Sequence, residues 1–194
     1  LDRFKTMQFG GGLWIVPGDH QAPTEAEHVL RLDPGLAFGT GTHPTTHLCL
    51  EWIDSHDFTD ERVVDYGCGS GVLGIAAAIK GAVCVDCVDN DPQALIATGD
   101  NALRNGVQAV IEELAPERFR SSSADVVLAN ILAGPLVELA PRLTATLRPG
   151  GTLVLSGILA EQAEAVKNAY IGGFSDLRVK LLDGWVLLTG TRQD

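Results

Sequence analysis

The chain has 194 residues, a formal net charge of −11 and a sequence pI of about 4.7. This length suits one sizeable domain with its own hydrophobic core. Nucleic-acid binding relies on Lys and Arg to neutralise phosphates, so the acidic balance argues against direct nucleic-acid binding and suits a basic partner. The longest apolar stretch, GVLGIAAAI (71–79), is about half of the ~20 residues that a membrane-spanning helix requires, so no membrane span is expected.

The cysteine pattern argues against a zinc site. Cys84 and Cys87 have C-x-x-C spacing, but they lie in the apolar run VCVDCVD (83–89), which predicts a strand. Residues three apart on a strand point to opposite faces, and the sequence has no second C-x-x-C pair. We therefore expect no metal. Reduced thiols and the absence of a signal peptide favour a cytoplasmic protein.

The first part of the chain predicts short strands and a glycine-containing loop. LWIVP (13–17) and VLRLDPG (29–35) are expected to be strands, each closed by proline and glycine. The polar loop AFGTGTHPTT (37–46) follows, and Thr45 or Thr46 is expected to cap the helix after it.

From there, predicted strands and helices alternate. The expected strands are RVVDY (62–66), VCVDCVD (83–89), AVIEEL (109–114), ADVVLAN (124–130) and GTLVLSG (151–157). The helix after the second of these begins with Asp91 as cap and Pro92, and ends at Asn105-Gly106. Repeated strand–helix units predict an α/β, Rossmann-like, doubly wound and mostly parallel sheet, here with seven strands.

The C-terminal third predicts two more helices and a hairpin. An apolar stripe from Leu136 to Leu147 predicts one helix that ends at Pro149-Gly150, and a second helix is expected over 160–170. Two strands without a helix between them, around 174–182 and 185–190, predict a C-terminal antiparallel hairpin with its turn at Asp183-Gly184.

The stretch VVDYGCGSGVLG fits two cofactor patterns. Gly69, Gly71 and Gly74 spell the dinucleotide fingerprint G-x-G-x-x-G. Gly67, Gly69 and Gly71 spell G-x-G-x-G after the acid Asp65, which indicates a sulfonium cofactor and methyl transfer. An acid that follows about twenty residues later serves either pattern.

Two carboxylates at predicted strand ends favour the second pattern. Asp65 precedes the turn where a dinucleotide would place its pyrophosphate, which a carboxylate would repel by roughly 1–4 kcal/mol. S-adenosylmethionine has no phosphate and carries a positive ammonium and sulfonium, so the same carboxylate would attract it. Asp89 ends the next strand, and its two oxygens can accept both ribose hydroxyls.

Asn130 is the candidate catalytic residue. It follows five apolar residues on a buried strand, where an unpaired amide would cost roughly 1–3 kcal/mol. At this strand end, it can accept a hydrogen bond from a substrate amine; a structural turn is the alternative. His43 and His47 have no obvious carboxylate partner in the sequence, and a loop contact or helix cap is favoured over a catalytic base.

Longer motifs carry a family resemblance that extends from about Phe9 to Arg192. They are LDPGLAFGTGTHPTT (32–46), VVDYGCGSGVLGIAAA (63–78), CVDNDPQA (87–94), NALRNGV (101–107), ANILAGPL (129–136), LAPRL (139–143) and GGTLVLSGILAEQ (150–162). In these motifs the chain resembles the ribosomal protein L-eleven methyltransferase (PrmA) family of class I methyltransferases. FGTGTHPTT together with ANILAGPL is the specific part of the resemblance.

The resemblance implies S-adenosyl-L-methionine as methyl donor and lysine and α-amino groups of a basic ribosomal protein as substrate. The family's cofactor positions fall on Thr46, Gly67, Asp89 and Asn130. We add six neighbouring positions, of which Asp65, Gly69 and Gly71 belong to the glycine stretch and Phe38, Gly39 and Thr40 to the upstream loop.

The resemblance also implies a domain arrangement. Residues 1–33 are expected to be a linker remnant with short strands, and residues 34–194 the methyltransferase domain. The family's N-terminal substrate-recognition domain is expected to be absent. The stretch GGGLW (10–14) is more glycine-rich than the resemblance leads us to expect. Alternative functions are a methyltransferase for another protein or a small amine, and a cofactor-binding fragment without turnover.

Overall fold

The computed structural model describes residues 5–33, 43–120 and 123–194. Within these ranges, the strands are β1 (Met7–Phe9), β2 (Leu13–Pro17), β3 (His28–Leu32), β4 (Arg62–Tyr66), β5 (Cys84–Val88), β6 (Ile111–Leu114), β7 (Ala124–Asn130), β8 (Leu147–Leu159), β9 (Phe174–Leu182) and β10 (Trp185–Arg192). The α-helices are α1 (Pro44–Ser55), α2 (Val72–Ile79), α3 (Pro92–Arg104), α4 (Ala133–Glu138), α5 (Ala140–Thr146) and α6 (Ala163–Tyr170). No helix in the described ranges is long and apolar enough to cross a membrane.

The main sheet has seven strands in the order β6-β5-β4-β7-β8-β10-β9. The five strands from β6 to β8 are parallel, and β10 pairs antiparallel with both β8 and β9. Strand order reverses between β4 and β7, which is where ligands bind in open α/β sheets, beyond the carboxyl ends of the strands. The predicted fold class is confirmed.

Helices cover both faces of this sheet and bury two hydrophobic clusters. Buried residues of α1, α2 and α3 form one cluster, and those of α4, α5 and α6 form the other. Neighbouring strand residues divide between them: Val63 belongs to the first cluster and Val64 to the second. This alternation follows from the two-residue period of a strand.

The C-terminal hairpin forms as predicted. Asp183 and Gly184 have φ values of 50° and 80°, the left-handed conformation that a type I′ hairpin turn requires at both positions. The second strand of the hairpin, β10, is inserted between β8 and β9, so β9 forms the edge of the sheet.

The predicted cap of α1 was wrong. His43, rather than Thr45 or Thr46, precedes the helix, and its Nδ1 accepts a hydrogen bond of 3.3 Å from the Thr45 N–H. Pro44 occupies the first helical position, where its missing N–H costs nothing, so the helix begins earlier than expected. Both threonines are buried in the first turn.

The single helix predicted for the Leu136–Leu147 stripe was also wrong. The chain forms α4 and α5 with a break at Leu139, because Pro141 has no N–H to continue the hydrogen-bond ladder. The Tyr170 hydroxyl donates a hydrogen bond of 2.6 Å to the Leu136 carbonyl near this break. Strand β8 already begins at Leu147, before the predicted start of the strand.

A smaller sheet, β1-β2-β3, contributes buried residues to the first cluster. The turn between β1 and β2 contains the three consecutive glycines (10–12), and its contact with α1 explains why they are glycines. Asp54 of α1 accepts hydrogen bonds from the N–H groups of Gly11 (2.8 Å) and Gly12 (3.2 Å). Gly10 has a φ of 61°, and a Cβ there would lie 2.1 Å from Asp54 Oδ2. The glycines therefore let the β1–β2 turn close on the carboxylate.

We predict that Tyr170→Phe destabilises the fold. The phenylalanine keeps the buried ring but leaves the Leu136 carbonyl without its hydroxyl donor, which costs about 1–3 kcal/mol of unfolding free energy. Equilibrium unfolding in urea measures this difference. An unchanged midpoint would contradict a structural role for the hydroxyl.

Candidate functional site

A cavity of about 860 Å³ opens at the carboxyl ends of β4, β5 and β7. Its lining includes the loop between β4 and α2 (67–71), which we call the glycine loop. The ends of the three strands, the start of α1, and residues of α4 and β10 complete the lining. The described residues that line it are His43, Thr45, Thr46, Asp65, Tyr66, Gly67, Cys68, Gly69, Ser70, Val72, Leu73, Val88, Asp89, Asn90, Pro116, Asn130, Ile131, Leu132, Pro135, Glu138, Leu139, Gly157 and Trp185.

The glycine loop between β4 and α2 follows a left-handed backbone path. Gly67, Gly69 and Gly71 have φ values of 75°, 55° and 83°. The N–H groups of Gly67 and Cys68 both donate to the Val88 carbonyl at the end of β5, at 2.7 and 3.0 Å. L-residues rarely adopt such φ values, so these three glycines are the ones that shape the turn.

The individual glycines have different space requirements. Gly69 has no atom within 4 Å of its ideal Cβ, so its Cα faces open space. A Cβ on Gly71 would lie 2.7 Å from Thr98 Cγ2. Gly74 lies inside α2, where a Cβ would lie 2.8 Å from Cys87 Sγ, so this glycine packs the helix against β5.

Asp89 anchors the loop from the end of β5. Its Oδ2 accepts a hydrogen bond of 2.9 Å from the Gly69 N–H, and its Oδ1 accepts one of 2.9 Å from the Asp91 N–H. Each carboxylate oxygen has capacity for a second donor. The side chain is thereby oriented while retaining acceptor capacity at the cavity. Asp91 caps α3, as predicted, by accepting from the Gln93 N–H.

Asp65 is a buried carboxyl group on the same cavity. Its Oδ2 accepts a hydrogen bond of 2.9 Å from the Gly74 N–H. Burial raises its pKa from 3.8 to about 7; the Asp89 charge adds to this rise, and the Gly74 hydrogen bond opposes it. A cationic ligand in the cavity would favour the ionised form.

Asn130 at the end of β7 meets the first turn of α1. Its Nδ2 donates to Thr46 Oγ1 at 3.5 Å, and both residues line the cavity. With the amide nitrogen directed at Thr46, the side-chain oxygen is the group left to accept a hydrogen bond from a ligand.

His43 and His47 differ in whether they line the cavity. His43 is the helix cap that the sequence favoured, and its ring lies 4.9 Å from the Trp185 ring, centroid to centroid, on the cavity wall. The expectation that His47 has no carboxylate partner was wrong. Its ring nitrogen lies 2.8 Å from Glu51 Oε1, one helical turn away, and His47 is not among the described lining residues.

Sequence reasoning missed part of the lining. Gly157 has a φ of 86°, and a Cβ there would lie 2.0 Å from the Ile131 carbonyl oxygen, so β8 can approach the end of β7. Trp185 comes from the antiparallel β10, and exposed Glu138 comes from α4. An isolated glycine in a predicted strand was the available signal for Gly157.

Three of the predicted cofactor-binding residues, Phe38, Gly39 and Thr40, lie outside the described residues.

Among residues 5–33, 43–120 and 123–194, no group of three or more His, Cys, Asp or Glu side chains could hold a metal ion. Cys87 is buried and Cys84 is partly exposed, and both are free thiols.

We predict that Asp65 makes the stability of the fold depend on pH. Because its pKa is raised from 3.8 to about 7, the folded chain binds more protons than the unfolded chain between these values. The free energy of unfolding therefore falls as pH rises from about 4 to about 7, by up to about 4 kcal/mol at ~1.36 kcal/mol per pH unit.

Asp65→Asn should remove this contribution. Urea unfolding of both proteins at pH 5 and pH 8 measures the difference, and the variant should gain stability relative to the wild type at the higher pH. Parallel pH profiles would contradict the raised pKa.

Three comparisons place the chain among known proteins. A sequence model of the family described as "Ribosomal protein L11 methyltransferase (PrmA)" matches residues 1–193. Proteins named ribosomal protein L11 methyltransferase from Azotobacter vinelandii and Marinobacter nauticus are 55% and 54% identical over 194 and 195 residues. These alignments include the whole chain but 66% and 65% of the relatives, so the chain spans about two thirds of their length.

A solved structure agrees with the sequence match. The crystal structure of a ribosomal protein L11 methylase from Lactobacillus delbrueckii subsp. bulgaricus superposes with a TM-score of 0.85 at 30% identity. The superposition covers 98% of each chain.

Proposed function

The chain belongs to the ribosomal protein L11 methyltransferase (PrmA) family, and we propose that it transfers methyl groups from S-adenosylmethionine to amino groups of ribosomal protein L11. The observation that carries the proposal is the cavity in which Asp89, Asn130 and the glycine loop converge. We further propose that the accepted groups are lysine side chains and the α-amine.

The cavity fits the cofactor of this family. Gly69 faces open space, so a ligand can approach its backbone closely. Asp65, Asp89 and Glu138 place carboxyl groups on the lining. A negative lining suits a ligand with an ammonium and a sulfonium, and it disfavours a pyrophosphate. The dinucleotide pattern is therefore the weaker interpretation of the glycine stretch.

Each site residue has a distinct proposed task. When bound, S-adenosylmethionine supplies an electrophilic methyl group on a positively charged sulfur. Asp89, already oriented by the N–H groups of Gly69 and Asp91, would accept the ribose hydroxyls. Gly67, Gly69 and Gly71 hold the loop in its left-handed path, and Thr46 and Asn130 line the cavity from α1 and β7.

The substrate amine must lose its proton before it can act as a nucleophile. A lysine with a pKa of ~10.4 requires about 4.6 kcal/mol for deprotonation at pH 7. Apolar lining residues such as Ile131 and Trp185, which are partly buried, would desolvate the ammonium and lower its pKa. The Asn130 side-chain oxygen would accept an N–H of the amine and direct its lone pair, which is catalysis by positioning.

The charge of the chain supports the proposed partner. A net charge of −11 would attract a basic ribosomal protein and speed their encounter. We propose that the chain acts in the cytoplasm on the protein itself, without direct nucleic-acid binding. We also propose that residues 34–194 form the methyltransferase domain; the short strands before it, β1, β2 and β3, contribute buried residues to its first hydrophobic cluster.

We predict that S-adenosylhomocysteine stabilises the chain against thermal unfolding and that NADH does not. A ligand at 100 times its dissociation constant adds about 2.7 kcal/mol, or roughly 5–10 °C for a domain of this size. Asp89→Ala should abolish most of the shift, because it removes the proposed ribose acceptor. A shift with NADH alone would overturn both the cofactor and the methyl-transfer proposal.

We predict that Asn130→Ala lowers kcat by about 10²-fold, more than it weakens cofactor binding, because the amine loses its directing acceptor. Mass spectrometry of ribosomal protein L11 after incubation with S-adenosylmethionine measures turnover and locates the methylated amines. Full turnover by the variant would contradict the role of Asn130. Cofactor binding by the wild-type chain without turnover would leave a binding function and exclude catalysis by this chain alone.

A further inference from the structure

Helix α3 directs two buried polar side chains at the carbonyl groups of the glycine loop. The Thr98 hydroxyl donates a hydrogen bond of 2.9 Å to the Gly69 carbonyl, and Asn101 Nδ2 donates one of 2.9 Å to the Ser70 carbonyl. Both side chains belong to residues with 0% exposure. Sequence reasoning did not select either residue, because each is separated from the loop by about thirty positions.

The bonds to α3 complete the restraint on the loop. The Gly69 N–H donates to Asp89 and its carbonyl accepts from Thr98, so both polar groups of this residue are held by side chains. Glycine backbones adopt many conformations at similar energy. The N–H groups of Gly67 and Cys68 hold the start of the loop to Val88, and the bonds from α3 restrain the carbonyl groups that follow.

Arg104 sets the orientation of the Asn101 amide. Its Nη1 donates to Asn101 Oδ1 at 2.9 Å, and a guanidinium has no acceptor, so the amide oxygen must face Arg104. The amide nitrogen then faces the Ser70 carbonyl. Arg104 also pairs with Asp33, just after β3. Both partners are partly exposed, so this ion pair adds little to stability but restricts the arginine.

We propose that Thr98 and Asn101 are positioning residues of the cofactor site, with Arg104 fixing the Asn101 amide. They act through the Gly69 and Ser70 carbonyls and do not touch the cofactor. This inference rests on the proposed function, because it assigns the loop to S-adenosylmethionine. Loss of either bond lowers the fraction of molecules with a competent loop, and apparent cofactor affinity falls by the same factor.

Two substitutions at Thr98 separate the effect of the hydroxyl donor from the effect of the side-chain shape. Thr98→Val keeps the branched side chain beside Gly71 but cannot donate to the Gly69 carbonyl. It should raise the dissociation constant for S-adenosylhomocysteine, measured by titration calorimetry, by about tenfold. Thr98→Ser keeps the donor and should stay within about twofold of the wild type.

Helix α3 also offers a matched control for Asn101. Asn101→Asp can still accept from Arg104 but cannot donate to the Ser70 carbonyl, so it should weaken S-adenosylhomocysteine binding about tenfold. Asn105 makes similar bonds to the N–H (2.7 Å) and carbonyl (2.9 Å) of Arg31 and also donates to the main-chain carbonyl of Asn101 (2.8 Å), and none of these bonds is to the loop. Asn105→Asp should lower the melting temperature of the ligand-free chain without changing the dissociation constant by more than about twofold.

The outcomes distinguish this inference from the proposed function. A purely structural role would lower the ligand-free melting temperature of the Asn101 and Asn105 variants alike and leave all dissociation constants unchanged. That result, or an unchanged dissociation constant for Thr98→Val, would overturn the inference while wild-type binding upheld the cofactor. Failure of the wild-type chain to bind S-adenosylhomocysteine would overturn the proposed function and this inference with it.

Discussion

The hydrogen bond from the Gly69 N–H to Asp89 is the interaction on which the rest of the site depends. It joins the turn after β4 to the carboxyl end of β5, where the Val88 carbonyl receives two further N–H groups of the loop. The same carboxylate accepts from the residue that caps α3. One acid therefore couples the turn, the strand and the helix, and its position follows from the parallel β4–β5 pairing.

Buried negative charge is the second constraint. Asp65 lies beneath the loop in an environment where burial and the nearby Asp89 both oppose its ionisation. Asp65 and Asp89 both line the cavity, and positive charge on a ligand there would favour the ionised form of Asp65. The sulfonium and ammonium of the proposed cofactor are therefore better suited to this lining than the pyrophosphate of an anionic dinucleotide.

Much of the fold could be predicted, because the signals were local. Strand ends, the Asp91–Pro92 helix start and the Asp183–Gly184 turn each follow from residues adjacent in sequence. The break at Leu139 was missed because apolar spacing outweighed Pro141 in the prediction. Gly157, Trp185 and Asn101 join the site only through tertiary packing, which adjacent residues do not encode. Their distance from the loop in sequence is the physical reason that the predicted site was incomplete.

The insertion of β10 between β8 and β9 sets the order in which parts of the sheet can form during synthesis. A chain emerging from the ribosome completes the glycine loop and the parallel strands first, because domains fold as the N-terminal parts become available. Strand β8 has no partner on its outer side until the last strand, Trp185–Arg192, is synthesised. The tryptophan on the cavity wall belongs to that strand. The nascent chain therefore contains the glycine loop before Trp185 completes the cavity wall, and the proposed methyl transfer requires both.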